Sequence, residues 1–427
     1  MVPSPVNVLV RLGDEDVRVG QLWSHRRRGT TESATFAYSA DYLARPDAYA
    51  LDPALSLVAG QQQTPTGRAM FGAFTDCAPD RWGRHLLARD EHRRALKEGD
   101  AERSFGEIDY LLGVRDDLRQ GALRFCDSAT DTYLAHEKAG VPPLVELPRL
   151  LSASDRLERD EASEEDLRTL LRGGSSLGGA RPKAHVFDGH GKVSIAKFPS
   201  SAKDEWDVMR WEAVTLALAR MAGISVANWT SHTVDGKAVL VVDRFDRVGE
   251  LRIGYVSAMT MLQAGDGDHG SYLEIAETIE RHSPNAGEDL RQLWRRMAFT
   301  ILISNTDDHL RNHGFLRSST AGWTLSPAFD LNPDPSPGAK HLCTAIDFDD
   351  TAASIDALMS VAEYFRLRGE DARRVLGEVA AATSRWQIVA AEAGLSRAAI
   401  AQMVPAFEHE QTDRARQIGS GPTNIAT

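Results

Sequence analysis

The chain has 427 residues and a formal net charge of -12, with 42% hydrophobic and 26% charged residues. That length supports two or three domains with a sizeable core. The acidic balance excludes a broad nucleic-acid-binding face and leaves room only for a local basic patch.

Cys77, Cys126 and Cys343 are far apart and unpaired in spacing, which argues against a disulfide framework or a cysteine-ligated zinc and fits a reducing cytoplasm. The opening "MVPSPVNVLVRLGDEDVRVG" lacks a cationic start followed by a long apolar run, so it does not read as a signal peptide. No charge-free stretch is long enough to span a bilayer. A cytoplasmic protein without a membrane partner is expected.

In chain order, "VNVLVRL" and "DVRVGQLW" alternate and predict a hairpin turning at Gly13-Asp14-Glu15-Asp16. "TFAYSADYLA" and "YALDPALSLV" continue the β-rich pattern. A helix is expected over "APDRWGRHLLARDEHRRALKEG", which starts at a proline. A short helix and a strand follow in "DYLLGVRDDLRQGALRF". Residues up to about 127 read as one α+β unit, and the polar, acid-rich stretch from Asp127 to Glu165 contains the expected boundary. Strand, glycine turn and strand are predicted across "RGGSSLGGARPKAHVF" and "DGHGKVSIAKF". An amphipathic helix over "DEWDVMRWEAVTLALARMAG" ends at Gly223, and "NWTSHTVDGKAVLVVDRF" is a hairpin with an Asp-Gly turn. From about Tyr272 the chain is mostly helical.

One loop breaks that helical region. In "FTILISNTDDHLRNHGFL" the preceding helix has Leu290, Leu293, Trp294, Met297 and Ile301 at helical spacing, then stops at Ser304-Asn305. A polar turn after a helix needs no special chemistry, because Asn and Asp satisfy free backbone groups. Asp307 and Asn312 nevertheless stand at the Asp-x-x-x-x-Asn spacing of protein-kinase catalytic loops. There the Asp orients an attacking hydroxyl and accepts its proton, and the Asn amide oxygen ligates magnesium. "GFLRSSTAGWTLSPAFD" then reads as a hairpin turning at Gly322, which carries Asp330 back towards Asn312. A hard cation suits an Asp carboxylate plus an Asn carbonyl. His309, between the two, is either a loop brace or a proton carrier.

"GGSSLGGARPK" offers backbone N–H groups for phosphates, although Ala180 stands where a Walker A lysine belongs. Gly178, Gly179 and Ala180 are the expected cradle, with Arg181 and Lys183 beside them as candidate phosphate contacts. In "KVSIAKF", Lys197 on an apolar strand needs an anionic partner, either nucleotide phosphates or an acid. Glu212 is the candidate acid, and Glu205 is the other. The backbone from Asp243 to Phe245 in "VLVVDRFDR" is a candidate adenine hinge, or an edge strand with a turn.

Taken together, "SSLGGARPKAHV", "IAKFP", "VVDRFDR", "NTDDHLRN" and "LSPAFDL" resemble, in order and spacing, the HipA family of kinase toxins from type II toxin–antitoxin modules. Upstream, "PDRWGRHLL" and "LLGVRDDLRQGALRF" resemble the N-terminal subdomain of that family. The resemblance implies an α+β, two-lobed protein-kinase-like fold: a β-rich subdomain over 1–127, an N-lobe over 128–260 and a helical C-lobe over 261–427. It also implies Mg-ATP-dependent serine phosphorylation. Asp307 would be the catalytic aspartate, Asn312 and Asp330 the magnesium ligands, and Lys197 the ATP-phosphate contact. Ser176, with Ser175 beside it, falls where family members carry an autophosphorylated serine, and phosphate there could eject the loop from the ATP site. Arg311 stands where a lysine is common. Implied partners are a small helix-turn-helix, HipB-like antitoxin, which supplies DNA binding, and an aminoacyl-tRNA synthetase substrate. The competing readings are a small-molecule phosphotransferase and a catalytically idle corepressor scaffold.

Overall fold

A computed structural model describes residues 5–26, 32–135, 140–174, 181–188 and 192–419. Internal contacts divide the chain into two compact units that interleave in sequence. One comprises Met1–Asp204, His232–Gln263 and Leu316–Thr320; the other comprises Glu205–Ser231, Ala264–Phe315 and Ala321–Thr427. The division into 1–127, 128–260 and 261–427 expected above is a different one: no edge of a compact unit falls between 127 and 165.

The first unit contains an antiparallel sheet of β1 (Val6–Leu12), β2 (Glu15–His25), β3 (Ser33–Tyr38), β4 (Gln61–Gln63) and β5 (Leu123–Asp127), in the order β4-β3-β2-β1-β5. Alternation in β1 buries Val6, Val8 and Val10 on one face. The register of β1 on β2 slips between Val8 and Leu9, leaving Val19 as the extra residue of a bulge. Gly20 follows it, and a Cβ there would stand 2.1 Å from the Ala37 carbonyl oxygen. Gly20→Ala is therefore expected to destabilise this unit by about 2 kcal/mol. A lower urea midpoint would show it, and an unchanged midpoint would contradict the close approach.

"YALDPALSLV" forms no strand, contrary to its β-rich reading. Its backbone is satisfied by side chains instead of a ladder. Leu51 N–H donates to the Tyr38 hydroxyl at 3.0 Å, and Ala54 N–H to Asp52 at 2.7 Å. The other Asp52 oxygen takes the Ala73 N–H, at 2.7 Å.

A second sheet of the same unit runs β6-β7-β9-β8, with β6 (Lys183–Phe187), β7 (Val193–Lys197), β8 (Trp229–Val234) and β9 (Lys237–Asp243). Asp235 and Gly236, both at positive φ, make the turn between β8 and β9. Helices Leu147–Glu158 and Glu164–Arg172 bury Leu150, Leu151, Leu167 and Leu170 against Val186, Phe198 and Val239. Trp82 and Leu86, from helix Arg81–Glu98, enter that same core. Helix Arg81–Glu98 thus shares a core with residues beyond the polar stretch after residue 127.

The second unit is mainly helical. Its centre is helix Ala286–Leu302, on which Leu290, Leu293, Trp294, Met297 and Ile301 are at most 1% exposed. Helix Val208–Met221 packs Trp211 against Trp386 and Phe407. Arg295 donates to the Ala222 carbonyl at 2.6 Å, placing a cation at that helix's C-terminal end. Among the described residues, no helix is long and apolar enough to cross a membrane.

Candidate active site

Helix Ala286–Leu302 ends in a Schellman turn. Asn305 N–H donates to the Thr300 carbonyl at 2.9 Å, and Ser304 N–H to that of Ile301 at 3.2 Å. This puts Ser304 at φ +54, a conformation a non-glycine residue adopts only at some cost. The turn directs the chain away from the helix into a compact loop. Asp307 is exposed, whereas Asp308 is buried. His309 N–H donates to the Asp307 carbonyl at 2.9 Å, and Asn312 N–H to the His309 carbonyl at 2.8 Å. The Asn312 side-chain NH2 also donates to the Asp307 carbonyl, at 3.2 Å. With that amide nitrogen engaged, the part of Asn312 left for a ligand is its oxygen. His309 braces the loop through its backbone; its buried Nδ1 has no hydrogen-bond partner.

Asp330 sits in the same unit at φ +59, and Asn332 donates to its Oδ1 at 3.2 Å. Strained backbone at a non-glycine residue is common at functional sites. The segment carrying Asp330 is fastened antiparallel to the loop at both ends. Asp334 N–H donates to the Ser304 carbonyl at 3.2 Å, and the Thr306 hydroxyl to Asp334 at 3.1 Å. At the other end, Ser326 N–H donates to the Gly314 carbonyl at 2.8 Å. Between these ties, Ala328 N–H reaches the Ser225 carbonyl at 2.7 Å, and the Leu331 carbonyl accepts from the Thr215 hydroxyl. Asp307, Asn312 and Asp330 therefore lie on two short segments locked side by side. Their donors are two carboxylates and an amide oxygen, which suit a hard divalent ion such as magnesium. Among the described residues, no group of three His, Cys, Asp or Glu side chains forms a metal cluster.

The remaining predicted residues divide between the units. Lys197 ends β7 in the first unit and is half-buried. Glu212 belongs to the second, on helix Val208–Met221, and is 2% exposed. Lys183, a candidate phosphate contact, has its ammonium buried on Asp80 at 2.6 Å, the N-cap of helix Arg81–Glu98. It faces Lys197 directly across the β6–β7 ladder, and Asp80 neutralises one of the two like charges. Arg181 is likewise paired, with Asp204 at 2.8 Å. Asp243 closes β9 and binds Lys192 and the Ser194 hydroxyl, while Phe245 packs on Tyr255. Ser175, Ser176, Gly178, Gly179 and Ala180 lie outside the described residues.

Sequence reasoning passed over Asp308. Its carboxylate accepts from the Tyr272 hydroxyl and from the Thr300 hydroxyl at 3.4 Å, and His313 Nε2 stands 3.2 Å away. Its carbonyl takes the Thr344 hydroxyl at 2.6 Å. Burial alone would raise its pKa, but His313, the Tyr272 hydroxyl and His309 hold it below the usual carboxylate range. One of the two adjacent aspartates is thus exposed, and the other pins the loop from inside. The doubled Asp followed by His313 was the available signal.

These features can be set beside known proteins. A model of the HipA N-terminal domain matches residues 9–103, and one of the HipA-like C-terminal domain matches residues 175–386. The chain is 26% identical over 151 residues to a putative kinase of Haemophilus influenzae, covering 33% of this chain and 43% of that protein. It is 25% identical over 241 residues to the putative kinase Y4dM of Sinorhizobium fredii, covering 47% of this chain and 58% of that protein. The chain thus spans about half the length of these curated relatives. A chain from the Shewanella oneidensis MR-1 toxin–antitoxin complex of HipA, HipB and operator DNA superposes with a TM-score of 0.59 at 17% identity. That superposition covers 97% of this chain and 96% of that one, and shows a shared α+β fold. With both domain models matched in order along one chain, the protein belongs to the HipA family.

Proposed function

We propose that the chain is a Mg-ATP-dependent protein serine/threonine kinase and the toxin of a type II toxin–antitoxin pair. The carrying observation is the loop tied by Asn312 to the Asp307 carbonyl and fastened at both ends to the Asp330 segment. Exposed Asp307 orients an acceptor hydroxyl and takes its proton. Asn312 and Asp330 hold magnesium, which when bound neutralises charge on the phosphates. Lys197 is assigned the nucleotide phosphates, and the backbone from Asp243 to Phe245 the adenine. His309 keeps the loop's shape and is not assigned a part in proton transfer. Ser176, or Ser175 beside it, is the proposed autophosphorylation site.

The relatives named putative kinases and the HipA–HipB–operator complex support this reading. By the same reasoning the partner is a helix-turn-helix antitoxin that carries the DNA contacts, in keeping with the net charge of -12. The proposed substrate is an aminoacyl-tRNA synthetase, whose modification would slow translation in the cytoplasm.

Incubation with Mg-ATP followed by intact-mass analysis and peptide mapping tests the kinase assignment. Phosphate on Ser176 or Ser175, together with radiolabel transfer to lysate proteins, is the expected result. Label transfer only to metabolites would favour a small-molecule phosphotransferase. Absence of both nucleotide binding and transfer would leave a scaffold and overturn the proposal.

A further inference from the structure

His185 is 1% exposed, and each of its polar groups is used. Its backbone N–H donates to the Gly173 carbonyl at 2.6 Å, and its Nδ1 lies 2.9 Å from that same oxygen. A carbonyl only accepts, so Nδ1 carries the proton. Its Nε2 lies 3.1 Å from Arg244 Nη1, which only donates, so Nε2 is the acceptor. The ring is therefore a neutral histidine of fixed tautomer, and burial together with the Arg244 charge keeps it from protonating.

Arg244 is equally committed. Its Nε and Nη2 fork onto Asp246 at 2.9 and 2.7 Å. Nη1 also donates to the Leu118 carbonyl at 2.8 Å, and Nη2 to that of Arg119 at 3.1 Å. With His185, this gives all five guanidinium N–H groups an acceptor. Asp246 in turn accepts the Gly121 N–H at 2.8 Å. Gly174, at φ +75, closes the arrangement: a Cβ there would stand 2.6 Å from Leu118 and 3.1 Å from His185 Nδ1.

This cluster joins three segments of the first unit. Gly173-Gly174 is the root of the glycine-rich stretch, Arg244 follows the end of β9, and residues 118–121 precede β5. The β6–β7 register places His185 opposite Ile195 and Lys183 opposite Lys197, so His185 shares the sheet face of Lys197.

We propose that His185 and Arg244 are positioning residues for nucleotide binding, fixing the root of the glycine-rich stretch against the end of β9 through residues 118–121. This rests on the nucleotide site proposed above. It makes the loop before β5, read from sequence as part of a separate subdomain, a component of the ATP-binding framework.

The test uses the full chain. His185→Phe fills the space but removes both ring hydrogen bonds; His185→Gln restores a donor and an acceptor. Arg244→Lys keeps the buried charge beside Asp246 with too few donors, and serves if His185→Phe does not fold. KM for ATP is expected to rise about tenfold in His185→Phe and Arg244→Lys, with kcat within about twofold and partial recovery in His185→Gln. Folded variants with wild-type KM for ATP would overturn the inference, as would a fall in kcat at constant KM. A wild-type chain that fails to bind Mg-ATP at all would instead count against the kinase assignment.

Discussion

Asp307→Asn is expected to reduce phosphoryl transfer by about two to four orders of magnitude, the contribution of a positioned general base. Nucleotide binding and the unfolding midpoint should remain at wild-type values. The expectation follows from the exposure of Asp307 and from its backbone carbonyl, which accepts from Asn312 and His309 and so closes the loop. Asparagine preserves that carbonyl and the side-chain shape and removes the proton acceptor. Asp308→Asn makes the complementary case. There a buried carboxylate serves Tyr272, Thr300 and His313, and its loss should cost about 2–4 kcal/mol of stability.

The sign with pH is fixed by the depressed pKa of Asp308. Its stabilising contribution is complete above the ordinary carboxylate pKa of about 4 and is lost as pH falls through the lower folded value. Activity assays beside urea titrations of both variants separate the roles. Wild-type transfer in Asp307→Asn would reject it as the base, and an unshifted midpoint in Asp308→Asn would reject it as the inner pin.

Local pattern made much of this legible. The period of Leu290, Leu293, Trp294, Met297 and Ile301 marked a helix face that the structure buries completely, and the Asp235-Gly236 turn marked its hairpin. The Asp307–Asn312 spacing located a loop whose two ends the side chain of Asn312 ties together. What stayed hidden depends on partners remote in sequence. Nothing near Lys183 announces Asp80, 103 positions earlier, so its charge looked available for phosphate. Nothing near Asp308 distinguishes it from Asp307, because Tyr272 and Thr344 decide which of the two turns inward. The stretch around Leu51 misled for the opposite reason: Tyr49, Leu51 and Leu55 are buried, but Asp52 and the Tyr38 hydroxyl replace the sheet ladder.

Asp246→Ala is expected to destabilise the first unit by about 3–5 kcal/mol, the cost of breaking a buried ion pair from one side. Arg244 and Arg247 both lie on its carboxylate, at 2.7 and 2.8 Å, and Gly121 N–H depends on it as well. Removing the acid leaves two guanidinium groups and an amide without their shared acceptor. Asp246→Asn should cost less, since its oxygen can still receive Gly121 N–H and one guanidinium donor. The pH dependence gives a second reading. Burial opposes ionisation of Asp246, but the Arg244 and Arg247 charges prevail and hold its pKa far below the usual carboxylate range. Its contribution is therefore present above about pH 4 and disappears only as pH falls through that low folded value. Asp246→Ala should flatten the acid limb of the stability profile as well as lower the plateau. A variant with the plateau lowered but the acid limb unchanged would show that other carboxylates, such as Asp116 between Arg124 and Arg252, carry the acid sensitivity.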